Sequence, residues 1–140
     1  MTTTLAILKP DAISAGHAGK ILAHLEAAGF RLRACRFTRL NRLQAEALYA
    51  VHRDRPFFRS LVSFMTSGPV LPMVLEADDA APRLREAIGA TDPAEAAHGT
   101  VRALYAKSTE RNAIHASDSE QNAAQEIAFF FSEADLLGSE

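Results

Sequence analysis

The sequence predicts an α+β sandwich, a central antiparallel sheet with helices packed on one face. Two observations carry this. Short apolar runs of strand length alternate with stretches whose apolar residues recur at helical spacing, and the order is strand, helix, strand, helical hairpin, strand, helix, long loop, short strand, helix. No internal repeat, low-complexity tract or interdomain linker interrupts the series, and 140 residues suit one domain, 1–140, able to bury a core without metal or disulfide.

Thr4 to Leu8 is an apolar run stopped by Lys9-Pro10, which suits a buried strand because proline cannot continue the ladder. Ile21, Leu22, Leu25 and Ala28 then recur at helical spacing, and Gly29 stands where a helix ends in a left-handed residue. From Phe30 to Leu40, Phe30, Leu32 and Ala34 alternate with Arg31 and Arg33, the pattern of a strand with one wet face. Leu43, Ala47 and Ala50 or Val51 make one helix of the hairpin, and Phe57, Phe58, Leu61, Val62 and Met65 the other, after Pro56.

Beyond Gly68-Pro69, Val70 to Leu75 reads as a central strand despite Pro72. Ala81, Leu84 and Ile88 form the next helix. Gly89 to Arg111 has no sustained periodicity and reads as a long loop, a kind of segment that commonly carries function. Ser117 to Glu120 has capping-box spacing, which opens a last helix with Ala123, Ile127 and Phe130 on one face and its N-terminus directly after His115.

Composition excludes several classes. The apolar and charged fractions are those of a globular protein, and a net charge of -2 provides no basic excess to hold a nucleic-acid backbone, so no nucleic-acid partner is expected. Cys35 is the sole cysteine, which rules out an internal disulfide, fits a reducing compartment and suits a small filler in a strand. The start lacks a secretory pattern and no apolar run approaches the roughly 20 residues that span a bilayer, so a cytoplasmic protein without membrane contact is expected.

Neither a Gly-x-x-x-x-Gly-Lys-Ser/Thr loop nor a Gly-x-Gly-x-x-Gly fingerprint occurs, so any phosphate site must be built from side chains. Arg53, Arg55, Arg59, Arg83, Arg85, Arg102 and Arg111 are the candidates, although any one arginine is more often a solvated surface charge. The densest polar cluster runs from Asn112 to Ser119. It sets the His115 imidazole ahead of a helix N-terminus that favours anions, and imidazole is mostly neutral near pH 7, so it can attack without first losing a proton. Those properties suit a nucleophile that becomes a phosphoanion, though a histidine so placed is more often a packed or surface residue.

The segment Asn112-Ala113-Ile114-His115-Ala116-Ser117-Asp118-Ser119 resembles the nucleoside diphosphate kinase signature Asn-x-x-His-Gly-Ser-Asp-Ser, with Ala116 in place of the glycine. The resemblance extends in order through Leu8-Lys9-Pro10-Asp11-Ala12, Arg55-Pro56-Phe57-Phe58, Phe64 to Val70, Gly89 to Pro93, Gly99 to Arg102, and Glu126 to Phe131. It implies a ferredoxin-like sandwich, four strands with surrounding helices and a long nucleotide-site loop. It also implies a ping-pong reaction in which a nucleoside triphosphate, mainly ATP, phosphorylates His115 and a nucleoside diphosphate then takes the group, with broad base specificity.

By the same resemblance, Lys9 and Asn112 hold the sugar hydroxyls, and His52, Arg85, Thr91 and Arg102 hold the phosphates. Tyr49 lines the nucleophile, Ser117 and Glu126 orient it, and Phe57 and Leu61 sandwich the base. Magnesium (Mg2+) rides mainly on the nucleotide, with Asp118 reaching it through water, and the chain assembles as a homotetramer or homohexamer. Ala116 matters only if its position requires a positive φ, and His98 receives no role. Two rivals stand beside the enzyme: an inactive nucleotide-binding regulatory module of the same fold, and a structural or nucleic-acid-binding protein relying on its arginines.

Overall fold

The computed structural model describes residues 1–137, so the last three residues of the expected 1–140 unit, 138–140, lie outside it. Its elements are β1 (Thr2–Leu8), α1 (Pro10–Ser14), α2 (Ala18–Ala27), β2 (Arg31–Cys35), α3 (Arg42–Leu48), α4 (Phe58–Met65), β3 (Leu71–Ala77), α5 (Ala80–Ile88), α6 (Val101–Tyr105), β4 (Ile114–Ala116), α7 (Glu120–Phe130) and α8 (Glu133–Leu137). The four strands form one sheet in the order β2-β3-β1-β4. Every neighbouring pair is antiparallel. This is the ferredoxin-like α+β sandwich.

Helices cover both faces of this sheet, not one. Successive side chains of a strand point to opposite faces, and along β1 Ala6 and Leu8 join one apolar cluster while Leu5 and Ile7 join the other. The first cluster is closed by Ile21 and Leu25 of α2 and by Leu84 and Ile88 of α5. The second is closed by Ala45 of α3, Val62 and Met65 of α4, and Ile127 and Phe130 of α7. A strand wet on one side would alternate apolar with polar, so the unbroken Leu5 to Leu8 run required two cover layers.

Other differences have local causes. β2 ends at Cys35, short of Leu40, and its register shifts between Leu32 and Ala34. That bulge inserts Arg33, so Leu32 packs on the first cluster and Ala34 on the second, where strict alternation would place both on one face. Cys35 is exposed at the strand end and fills nothing. Pro72 is tolerated in the middle of the sheet because its carbonyl, which accepts from the Arg36 amide at 3.1 Å, and its missing donor face the β2 side, where regular pairing has ended at Met73.

The hairpin of α3 and α4 forms as read, yet Leu43 and Val51 are exposed, and α3 turns Ala45 and the following Tyr49 inward. Asn41 caps it in a full capping box with Gln44. The long loop contains α6, opened by the Thr100 hydroxyl accepting from the Ala103 amide. The last long helix starts later than its capping-box spacing suggested. Ser119 is the cap, accepting from the Asn122 amide at 3.0 Å, and Ser117 is left for another task.

Leu75 of β3 is fully buried in the first cluster. Leu75→Ala is expected to lower the unfolding free energy by about 2–5 kcal/mol. Urea denaturation with an unchanged m-value checks this, and a loss below about 1 kcal/mol would mean that the cluster is not continuous there.

Candidate active site

Sheet periodicity places His115. On β4, Ile114 and Ala116 pack into the first cluster, so the residue between them must face the other way. His115 therefore points toward the layer of α3, α4 and α7, and because β4 is an edge strand its ring stands at the wall of a cleft of about 920 Å³. That volume suits a ligand of nucleotide size.

Two side chains of that layer, Glu126 and Tyr49, meet the imidazole, and Ser117 holds the first of them. Glu126 of α7 meets His115 Nε2 at 2.6 Å through Oε1. Ser117 Oγ donates to the same carboxylate oxygen at 2.9 Å. Tyr49 stands edge-on to the ring with centroids 5.6 Å apart. With Nε2 hydrogen-bonded to a carboxylate it carries the proton, so the lone pair resides on Nδ1. Ser117 thus orients the base that orients the ring, and it is fully buried because β1 also accepts its amide, at Leu5 O, 3.1 Å away.

The Tyr49 hydroxyl is buried without a hydrogen-bond partner. Burial first and the Glu126 charge second hold it well above the usual phenol range, so it stays protonated and can only donate to an anion.

Cationic groups also line the cleft. Arg102 is buried, donating from Nη1 to Gly89 O at 3.0 Å and from Nη2 to Ile114 O at 2.7 Å, while its Nε has no partner. Burial, and then the neighbouring Arg85, lower its pKa to about 10, which leaves it charged at neutral pH. Gly89 has φ 89°, and a Cβ there would meet Thr100 Oγ1 at 2.5 Å, so only glycine lets this carbonyl reach the guanidinium. Arg85 and Thr91 also line the cleft, and Thr91 O accepts from Asn112 Nδ2 at 3.2 Å.

Lys9 is buried directly after β1. Its ammonium donates to Asn112 Oδ1 at 2.9 Å and to Glu110 O at 2.8 Å. Burial pulls its pKa down to about 8; Asp11 and Glu110 oppose the shift and Arg102 adds to it. At the mouth, His52 lies between Tyr49 and Phe57, with ring centroids 6.5 and 5.4 Å away. Phe57 is half-exposed, and Leu61 follows one turn later on the same side of α4.

Every residue read as a site residue from the sequence borders this cleft except Ser117, which acts through Glu126. Of the candidate arginines, Arg85 and Arg102 converge here, and Arg111 stacks on the Phe64 ring at 5.0 Å. Arg83 is spent on Ala28 O and the Phe30 ring, and Arg53, Arg55 and Arg59 are exposed away from the cleft wall. The helix N-terminus expected directly behind His115 begins only at Glu120. Ala116 has no positive φ; the left-handed residue is Ala113, at φ 74°, so the methyl group sits in ordinary strand backbone beside Ala6.

Sequence reasoning missed Glu110, whose carbonyl takes Lys9 and whose carboxylate accepts from Ser60 Oγ at 2.6 Å, and it gave no task to Asp11. No spacing rule could have found a backbone acceptor contributed by a loop. Asp118 lines the cleft, and a hydrogen bond from Asn122 at 2.8 Å holds its carboxyl below the usual carboxylate range. Among the described residues no group of three or more His, Cys, Asp and Glu could hold a metal ion. No helix among them is long and apolar enough to cross a membrane.

An antiparallel α+β sandwich that gathers a histidine held by a carboxylate and two buried cations in one nucleotide-sized cleft fits a phosphoryl-transfer class of protein. The family model for nucleoside diphosphate kinase matches residues 2–136, and the chain belongs to that family. It is 52% identical over 139 residues to a nucleoside diphosphate kinase of Chlamydia felis, covering 99% of each chain. Identity to one of Acidiphilium cryptum is 53% over 135 residues, 96% of each. Among solved structures, the Aquifex aeolicus nucleoside diphosphate kinase superposes with TM-score 0.94 at 46% identity, covering 96% of this chain and 98% of that one. A halophilic one from Halobacterium salinarum, in complex with CDP, gives TM-score 0.91 at 42% identity, covering 96% and 90%.

Two outcomes test this geometry. Glu126→Gln is expected to lower kcat for phosphate transfer on the order of 10²-fold, because the neutral amide can turn either oxygen or nitrogen toward Nε2 and no longer supplies the negative charge that favours the Nε2-H tautomer. An unaltered kcat would leave Glu126 no part in the chemistry. Lys9 has a folded-state pKa of about 8 against an ordinary 10.5, so the folded protein releases its proton first. Its burial therefore costs stability below pH ~8, and that cost is relieved as pH rises toward ~10.5. The wild type should gain stability relative to Lys9→Met across that window, while kcat/KM falls above pH ~8; a flat difference in unfolding free energy would contradict the assignment.

Proposed function

We propose that this chain moves the terminal phosphate of a nucleoside triphosphate, mainly ATP, to a nucleoside diphosphate through phosphorylated His115. The observation that carries it is the His115 ring with Nε2 tied to Glu126 and Nδ1 left as the nucleophile, facing the cleft that Arg85, Arg102 and Lys9 line.

In the first half-reaction the Nδ1 lone pair attacks the terminal phosphorus, the bond from phosphorus to the bridging oxygen breaks, and the diphosphate leaves with that electron pair. In the second, a terminal oxygen of the incoming diphosphate attacks the same phosphorus, and the nitrogen recovers its lone pair. Glu126 stabilises the positive charge that develops on the ring. The charge-rich transition state is met by Arg85 and Arg102, with Tyr49 and His52 donating from the nucleophile's side and Thr91 from the loop. Splitting the transfer lets one site serve donor and acceptor in turn.

Lys9 and Asn112 would hold the sugar hydroxyls, and Phe57 with Leu61 would stack on the base. Stacking contributes roughly 1–3 kcal/mol and tolerates any base, which supports broad specificity. The Asp118 carboxylate in the cleft, held below the usual carboxylate range and outside the Glu126–His115 pair, fits a magnesium ion carried by the nucleotide phosphates and reached through water, since magnesium keeps several waters and needs few protein ligands. That ion would neutralise phosphate charge. The domain would occupy 1–140 in the cytoplasm and assemble as a homotetramer or homohexamer, which sedimentation would read directly.

Labelled ATP without acceptor is expected to give an acid-labile phosphoprotein in the wild type and none in His115→Ala, whereas Arg85→Ala should slow its formation by on the order of 10²–10³. Nucleotide binding without any phosphoprotein would instead support an inactive regulatory module of the same fold.

A further inference from the structure

The backbone just ahead of the nucleophile is held in a rare conformation. Ala113 has φ 74°, and the Ile114 amide donates to Asn112 O at 2.9 Å, closing a three-residue turn of the uncommon hand across Ala113. A residue with a Cβ resists this region, so the turn persists only if its surroundings hold it. The Ala113 amide donates to Asp11 Oδ2 at 3.0 Å, and Ala113 O accepts from the Lys9 amide at 2.9 Å.

The turn sits between the site's working parts. On its N-terminal side Asn112 Oδ1 receives the Lys9 ammonium, and on its C-terminal side Ile114 starts the strand that aims His115. Asp11 lies in the first turn of α1, but its side chain reaches across to Ala113, and its second oxygen, Oδ1, is buried without a partner.

We propose that Asp11 is a positioning residue: its carboxylate clamps the Ala113 amide and so holds the left-handed turn that fixes Asn112 and aims His115. This rests on His115 being the nucleophile. Asp11 lies outside the cleft lining and makes no contact with the ring, so its hold on His115 passes through the backbone. A partly buried hydrogen bond to a charged acceptor is strong enough to impose a conformation that alanine disfavours.

The test uses the full chain and the rate of His115 phosphorylation by labelled ATP, with thermal unfolding followed in parallel. Asp11→Ala is expected to slow phosphorylation by about tenfold or more. Adding Ala113→Gly to that variant should restore much of the loss, because glycine enters the left-handed region without a Cβ penalty. Asp11→Asn, which keeps an oxygen acceptor of similar shape, should lose less and recover in the same way, and it serves if the alanine variant does not fold.

Phosphorylation at the wild-type rate in Asp11→Ala overturns the inference, as does failure of Ala113→Gly to restore rate in either background. A wild type that forms no phosphoenzyme overturns the proposed function itself, which separates the two failures.

Discussion

The site depends on one carboxylate oxygen. Glu126 Oε1 meets His115 Nε2 and accepts from Ser117 Oγ, so a single acceptor fixes the ring's plane, its tautomer and its distance from α7. The arrangement joins two elements that approach only because the sheet is covered on that face: β4 supplies the histidine and α7, packed on β1, supplies the glutamate. The packing of Ile127 and Phe130 on Leu5 and Ile7 thereby positions the histidine–glutamate pair as well as contributing to the core.

Around that pair the protein keeps charge where burial opposes it. Lys9 and Arg102 are held below their ordinary pKa values chiefly by desolvation, and both are tied to backbone carbonyls, Glu110 O for one, Gly89 O and Ile114 O for the other. Buried cations so fixed are costly to the folded chain, yet they are already oriented before any ligand enters the cleft. Membership of the nucleoside diphosphate kinase family is consistent with that balance, in which stability is given up for a preorganised positive wall.

Much of this was legible beforehand where local rules operate. The strand of Leu5 to Leu8, the helix ended by Gly29 and the buried stripe of Ala123, Ile127 and Phe130 all follow from spacing alone. The errors arose where a neighbour overrode a local signal. Ser117 has capping-box spacing with Glu120, yet its hydroxyl is claimed by Glu126, and Ser119 caps the helix instead. Leu43 and Val51 look like core residues by period but face outward because Ala45 and Tyr49 supply the inward face. The bulge at Arg33 is invisible to a pattern that assumes strict alternation.

By itself the sequence determined where the longer strands and helices lie, that no glycine-rich phosphate loop exists, and which histidine lies in the family's motif, because periodicity, turn chemistry and a linear signature are properties of neighbours along the chain. Only the tertiary structure decided that the sheet is covered twice, that Lys9 reaches a carbonyl in a loop about a hundred residues away, and that Ala113, not Ala116, carries the strained backbone. Those facts depend on what packs opposite each residue, and contacts across the fold are set by shape and burial that no short stretch of chain encodes.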